Sequence, residues 1–330
     1  MNTFLDPAIL FFVFGVFAGF AKSNLEIPQQ VSRFLSLYLL MALGLKGGFA
    51  LNHSGITSDI ALVLGLAILL AVLIPVLAYA ILSQRLQKLD AAAIAATYGS
   101  ISAVTFITAS QTLDQLGIAY GGYMAAAMAL MESPAIILAI VLANKARAFN
   151  ASQAKAGDAP VTKPNSLSKV LHESFTDGGQ ILLLGSMLVG YLSGEAGHKV
   201  MAPFSIDLFK GILSFFLLDM GLQAARSFSY LKKAPKITLL YGFVAPFVHA
   251  SLALALARWF GFPLGETVLL MVLAASASYI AVPAVLRHAI PEVKPALYMG
   301  MSLGITFPLN ILIGIPLYTE VETWAMKGVS

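Results

Sequence analysis

Long apolar runs make up most of the chain, and short groups of charged residues, glycine or proline separate them. A helix that crosses a bilayer needs about 20 predominantly apolar residues, and the runs are of that order. The pattern predicts an all-α membrane protein with ten transmembrane helices, near residues 7–22, 28–51, 57–82, 90–113, 119–145, 174–194, 204–226, 237–260, 265–289 and 294–319.

One long polar stretch interrupts this pattern between the fifth and sixth runs. Its sequence, AFNASQAKAGDAPVTKPNSLSK, has the composition of a flexible linker. The chain is therefore expected to have three parts: a first five-helix repeat over residues 1–145, a linker over 146–173 and a second five-helix repeat over 174–330.

The two halves resemble each other in sequence. Shifted by 177 positions without a gap, Arg33–Gly48 lies on Lys210–Ala225, which pairs Gly44 with Gly221. Matches at similar shifts pair Ser100 and Ser102 with Ser276 and Ser278, Tyr123-Met124 with Tyr298-Met299, and Pro134 with Pro308. Because five spans per half is an odd number, the second half must enter the membrane from the opposite side. The sequence thus predicts an inverted-topology repeat.

Composition narrows the class of protein. The chain has 330 residues, of which 58% are hydrophobic and 11% charged, whereas a soluble domain carries about 25% charged residues. This excludes a water-soluble enzyme with a single core. The absence of cysteine excludes disulfides, thiolate metal sites and cysteine nucleophiles. The first residues lack the features of a cleaved signal peptide, so the first run is expected to be retained as a span.

Basic residues predict the orientation. The net charge of +4 reflects cytoplasmic loops rather than affinity for nucleic acid. If the linker 146–173 is cytoplasmic, fifteen of the 20 Lys and Arg residues face the cytoplasm, and both termini face the periplasm or exterior. The residues on the outer side are Lys46, Lys199, Lys210, Arg258 and Lys327.

The candidate chemistry lies in the fourth and ninth spans. Ser100 and Ser102 follow Gly99 at the middle of one span, and Ser276 and Ser278 occupy the equivalent position of the other. Small polar residues at mid-membrane in both repeats indicate discontinuous helices. Helix N-termini beginning near Ser102 and Ser278, with hydroxyls including that of Thr105, would favour a small anion. The alternative is that these serines only let helices pack closely.

Two acidic residues fall deep in predicted spans, where carboxylates are costly and usually functional. Glu132 lies two residues before Pro134, which frees a backbone carbonyl, and this combination suits a sodium site or a proton carrier. The alternative for Glu132 is a neutral structural acid. For Asp219, a structural pair with a Lys or Arg of a neighbouring span is favoured over contact with the substrate.

The chain lacks the residue patterns that enzyme functions require. No histidine is placed by the sequence beside the Gly-Ser-Ile-Ser run to act as a base, the five histidines are scattered, and there is no phosphate-binding GxxxxGK[ST] loop. The protein is therefore predicted not to be an enzyme and to need no cofactor beyond sodium as a coupling ion.

The chain resembles the sodium-dependent bicarbonate transporter family, whose best-known members are cyanobacterial, over almost its whole length. The motifs that carry the resemblance are GLKGG (Gly44–Gly48), YGSISAVTF (Tyr98–Phe106), YMAAAMALMESPAII (Tyr123–Ile137), LLDMGLQAAR (Leu217–Arg226), AASASYIAVPAVLRHAIPE (Ala274–Glu292) and SLGITFPLNILIGIPLY (Ser302–Tyr318). The resemblance implies a gate domain of spans one, two, six and seven, and a mobile core of spans three to five and eight to ten. It also implies a homotrimer in the bacterial inner membrane, elevator-like transport, sodium symport and possible control by a PII-like cytoplasmic protein.

The resemblance also implies site residues. The anion contacts would be Ser100, Ser102, Ala103, Val104, Thr105, Ser276, Ser278, Tyr279 and Ile280; the cation contacts would be Glu132, Ser102, Ser278, Thr306 and Asn310. One departure is that Tyr279 stands where the cyanobacterial pattern has aspartate, and Ala103-Val104 replaces Gly-Ser. Bicarbonate is the expected substrate. Another small carboxylate, proton coupling and a passive anion channel remain alternatives.

Overall fold

A computed structural model describes residues 5–55, 58–153, 178–231 and 234–327. In these ranges every regular element is a helix, as predicted. The helices are α1 (Pro7–Phe20), α2 (Gln29–Ser54), α3 (Ser58–Leu82), α4 (Lys88–Gly99), α5 (Ala103–Leu116), α6 (Met124–Gln153), α7 (Gly178–Ala202), α8 (Phe209–Leu231), α9 (Lys236–Trp259), α10 (Leu264–Ala275), α11 (Ala281–Ala289), α12 (Pro295–Met301) and α13 (Ile315–Lys327).

Several expectations fall on residues outside the described ranges. They are the first four residues, the linker from residue 154 onward, and the cations Lys155, Lys163, Lys169, Lys232 and Lys233. Helix α6 continues to Gln153, so the beginning of the expected linker is helical.

Seven helical stretches among the described residues are long and apolar enough to cross a membrane. The expected sixth and seventh spans lie in one continuous stretch, Gly178–Phe228. The expected first and ninth spans correspond to shorter apolar helices, Pro7–Phe20 and Leu264–Ala275. Large apolar side chains on the outside, such as Leu192 at 74% exposure, are typical of a surface that contacts lipid. The chain is a multi-pass membrane protein.

Equivalent glycines of the two sequence halves make equivalent packing contacts. A methyl group at Gly44 on α2 would collide with the backbone of Leu183 on α7, and one at Gly221 on α8 would collide with the backbone of Phe12 on α1. Each glycine thus lets its helix lie directly against the first helix of the other half. The resulting pairs are α2 with α7 and α1 with α8.

The last stretch of helix is irregular. Between α12 and α13, two π-helical segments, Ser302–Thr306 and Asn310–Gly314, flank the short α-helical segment Phe307–Leu309. π-helical turns shift the register of a helix and are frequent at functional sites. Here they turn the side chains of Thr306 and Asn310 into the buried interior, where both are at most 1% exposed.

Candidate functional site

In two places, a short non-helical segment separates one helix from the next. Residues 100–102 lie between α4 and α5, and residues 276–280 lie between α10 and α11. Ser100 and Ser276 each follow the last helical residue with extended backbone angles. Gly99 packs directly on the ring of Pro75 in α3, where a Cβ atom would collide with that ring. We call residues 100–102 the first interruption and residues 276–280 the second.

The two interruptions are hydrogen-bonded to each other. The backbone N–H of Ser278 donates to the carbonyl oxygen of Thr97 at 2.8 Å. The backbone N–H of Ser102 donates to the Oγ of Ser276 at 3.0 Å. These bonds satisfy main-chain groups that the interrupted helices leave without helical partners. The two serine-containing segments that the sequence marked as equivalent therefore contact each other in space.

Helix α5 begins with a serine cap. The Oγ of Ser102 accepts hydrogen bonds from the backbone N–H of Thr105 at 3.2 Å and from its Oγ1 at 2.9 Å. Capping leaves the N–H groups of Ala103 and Val104 as first-turn donors without an acceptor in the helix. This end of α5 carries a partial positive charge directed at the first interruption.

Helix α11 begins later than the sequence suggests. Its first residue is Ala281, three positions after Ser278. The Oγ of Ser278 nevertheless accepts from the backbone N–H of Val282 at 3.3 Å, which supports the first turn of the helix. Ile280 directs its side chain outward, at 53% exposure.

Some buried hydroxyls of the interruptions have hydrogen-bond partners, and others have none among the described residues. Ser276 donates its hydroxyl proton to the carbonyl of Leu273 at 2.9 Å while it accepts from Ser102. By contrast, the Oγ of Ser100 and the phenol oxygen of Tyr279 are fully buried and have no hydrogen-bond partner among the described residues. A buried polar atom without a partner is costly, so these two hydroxyls are where a ligand could complete the site.

Three of the predicted cation ligands, Glu132, Asn310 and Thr306, make separate sets of contacts. Glu132 borders α7, because its Oε2 accepts from the Nε2 of Gln180 at 2.6 Å. Asn310 borders the second interruption, where its Nδ2 donates to the carbonyl of Ala275 at 2.9 Å. Thr306 bonds to Tyr98 at 2.6 Å and to the carbonyl of Gly242 at 3.0 Å. No cluster of three or more metal-ligating His, Asp or Glu residues was found within the described part of the chain.

The expected Lys or Arg partner of Asp219 was wrong. Its hydrogen bonds come from the hydroxyl of Ser32 at 2.5 Å and the amide of Gln223 at 2.8 Å, instead of from a Lys or Arg. Neutral donors can satisfy a buried carboxylate without a second buried charge. This network ties α8 to α2.

Gln180 and Tyr98 are polar neighbours of the site that the sequence analysis did not single out. Gln180 lies in the first turn of α7. Polar residues are common at the ends of spans, so no signal in the sequence marked it. Tyr98 directly precedes Gly99 and the first interruption. Its place in the YGSIS motif was the signal that could have identified it.

The model of a family described as the Na+-dependent bicarbonate transporter superfamily matches residues 7–323 of the chain. No curated protein matches it.

Proposed function

The chain belongs to the Na+-dependent bicarbonate transporter superfamily, a family of transporters and not of enzymes, and we propose that it carries bicarbonate across the membrane in symport with sodium. The observation that carries the proposal is the pair of hydrogen-bonded interruptions, which holds two buried, unpartnered hydroxyls. Hydroxyls and helix N-terminal N–H groups bind an anion without a fixed positive charge. Such binding is weak enough to permit release.

We assign the anion to both interruptions. Its contacts are Ser100, Ser102, Ala103, Val104, Thr105, Ser276, Ser278, Tyr279 and Ile280. In this assignment Ser276 acts mainly by holding the two interruptions together, and Ile280 contributes its backbone, because its side chain points outward.

We assign sodium to a neighbouring site. Its ligands are the oxygen atoms of Glu132, Ser102, Ser278, Thr306 and Asn310. Carboxylate, hydroxyl and amide oxygens are the donors that hard cations prefer. At present an oxygen of Glu132 accepts from Gln180 and the Oδ1 of Asn310 accepts from the hydroxyl of Tyr318, so these two donors compete with the ion.

The proposed architecture is ten spans in a five-plus-five inverted repeat. It is supported by the equivalent glycine contacts, since Gly44 and Gly221 correspond in the repeat and each packs against the first helix of the other half. The proposed ten spans include α1, the divided stretch α7 to α8, and the pair α10 and α11.

The ten-span topology is also supported by the ion pairs between elements, because each joins two residues that the topology places on the same side of the membrane. Lys46–Asp114, Lys210–Asp6 and Arg258–Glu322 join residues that the ten-span topology places on the outer side. Arg147–Glu292 joins residues that it places inside. We propose a bacterial inner-membrane protein with outer termini and a cytoplasmic linker.

Transport by an elevator-like motion requires that a core slide against a gate. We propose that α1, α2, α7 and α8 form the gate and that the remaining helices form the core. Polar contacts across this boundary include Lys46–Asp114 at 2.6 Å and Gln180–Glu132 at 2.6 Å. A homotrimer in the lipid bilayer and a PII-like regulator are the partners that the family resemblance implies.

The test is uptake by purified protein in liposomes. Labelled bicarbonate, formate and acetate would each be offered with an inward sodium gradient, with a proton gradient and with neither. We expect bicarbonate uptake that requires sodium, saturates and shows counterflow. Uptake driven by protons alone would contradict sodium coupling, and flux without saturation or counterflow would indicate a channel.

A further inference from the structure

The second interruption contains a feature that the proposed transport does not by itself explain. Tyr279 is 6% exposed, and its ring lies edge-on against Phe307 at 5.2 Å between centroids. Phe307 in turn lies edge-on against Phe12 of α1 at 5.5 Å. The ring is therefore fixed by aromatic packing, and its hydroxyl is left without a hydrogen-bond partner among the described residues.

Packing alone does not account for the hydroxyl. A phenylalanine would fill the same aromatic contacts and would avoid the cost of a buried unpaired oxygen. The hydroxyl of Ser102 is a side-chain neighbour of the phenol, but the phenol oxygen makes no hydrogen bond of normal geometry among the described residues. The phenol proton of Tyr279 thus remains available as a donor at the site.

The first interruption also contains a buried hydroxyl without a hydrogen-bond partner among the residues described. The Oγ of Ser100 is buried, 1% exposed as a residue, and also without a partner in the described part of the chain. Backbone and hydroxyl bonds hold the two interruptions together. One unfilled donor on each side is the arrangement that an oxyanion with at least two oxygens would complete.

The charges around the interruptions limit which oxyanion fits. Residues 100–102 and 276–280 contain no charged side chain. Asp219 of α8 is close enough to Tyr279 for a carboxylate there to act on the phenol, and a carboxylate at this position disfavours anions of high charge. Neutral donors beside a negative group can hold one negative charge far more easily than two, because desolvation grows steeply with charge.

We propose that the Tyr279 hydroxyl is the specificity-determining donor of the anion site, acting with the Ser100 hydroxyl to select singly charged oxyanions of the carboxylate type over doubly charged ones. The inference rests on the proposed anion transport and deepens it. The donor at this position is a neutral phenol, so selectivity is set by hydrogen bonding and not by a fixed charge.

The experiment compares wild type with Tyr279→Phe and Tyr298→Phe in sodium-driven liposome uptake. Tyr298 is the matched control, because its hydroxyl is also buried and unpartnered among the described residues but belongs to α12 and to neither interruption. Tyr279→Phe keeps the ring that packs on Phe307. Both variants should therefore elute as folded protein on size-exclusion chromatography.

We expect Tyr279→Phe to raise KM for bicarbonate about tenfold or more, as for loss of a hydrogen bond to a charged group, and Tyr298→Phe to leave KM within about twofold. Excess sulfate should not inhibit wild-type bicarbonate uptake, whereas excess formate should. Unchanged KM in Tyr279→Phe, or inhibition by sulfate equal to that by formate, overturns the inference while transport stands. If wild type moves no anion, both the inference and the proposed function fail.

Discussion

The backbone N–H of Ser278 lies 2.8 Å from the carbonyl oxygen of Thr97, so the second interruption is hydrogen-bonded to the end of α4 in the other half of the chain. The bond from Ser102 to Ser276 runs in the reverse direction between the same two regions. Each interruption thus uses the other to satisfy its main chain. A substrate site between them can keep its shape while the helices around it move.

The Ser102–Ser276 bond predicts a stability effect. Ser276→Ala removes the acceptor of a buried N–H, which should cost about 1–3 kcal/mol of unfolding free energy. The matched control is Ser214→Ala, since Ser214 is buried but bonds only to a carbonyl of its own helix. Its effect should be within about 0.5 kcal/mol. Thermal unfolding in detergent measures both, and equal melting temperatures would show that the bond is dispensable.

The serines that support the helix starts should be needed for transport. Ser102→Ala and Ser278→Ala each remove a hydroxyl that caps a first turn, at a cost of about 1 kcal/mol of stability. We expect folded protein with sodium-driven bicarbonate uptake reduced at least tenfold. Ser251→Ala is the control, because its hydroxyl bonds within α9. Wild-type uptake in both site variants would remove these hydroxyls from the proposed site.

The role of Glu132 can be separated from that of its partner. If Glu132 binds sodium, Glu132→Gln should raise the sodium concentration for half-maximal uptake, because the charge that attracts the cation is lost. Gln180→Ala removes the amide that donates to Glu132 but keeps the carboxylate, and should leave sodium dependence close to wild type. The same shift in both variants would assign Glu132 to the contact between α6 and α7.

The absence of native cysteine allows a direct test of relative motion. Lys46→Cys with Asp114→Cys places one thiol on each side of the proposed boundary, and Asp6→Cys with Lys210→Cys places both on the gate. A short bis-maleimide that links the first pair should stop uptake, whereas linking the second should not. Full uptake with the first pair completely linked would exclude sliding of α5 against α2.

The ion pair between Arg147 of α6 and Glu292 predicts a pH effect. The guanidinium of Arg147 donates to Glu292 and holds the pKa of that carboxyl below its usual value of 4.5, against the opposing effect of burial. Because the pKa is lower in the folded protein, the pair stabilises the fold above about pH 4.5, and this contribution is lost as pH falls through the folded pKa.

Glu292→Gln should therefore lower stability near neutral pH, by at most about 1 kcal/mol for a partly exposed pair. The difference from wild type should shrink as the pH is lowered below 4.5. Melting curves of both proteins across this range check the sign. A difference that grows on acidification would mean that Glu292 is not stabilised as a carboxylate.

The apolar runs by themselves determined that this is a helical membrane protein, because the length and polarity of a segment decide whether it can enter a bilayer. The order of motifs was also sufficient to identify the family, and the repeated serines marked both interruptions. These are properties of local sequence, and they do not depend on which segments later meet.

Only the tertiary structure decided how the polar groups are used. Ser276 and Tyr279 are three positions apart, yet the hydroxyl of Ser276 has two hydrogen bonds and that of Tyr279 has none among the described residues. Likewise, Asp219 bonds to Ser32 and Gln223 instead of to a cation. Hydrogen bonds act over about 3 Å and depend on direction, so their partners are set by how distant segments pack, which the pattern along the chain does not specify.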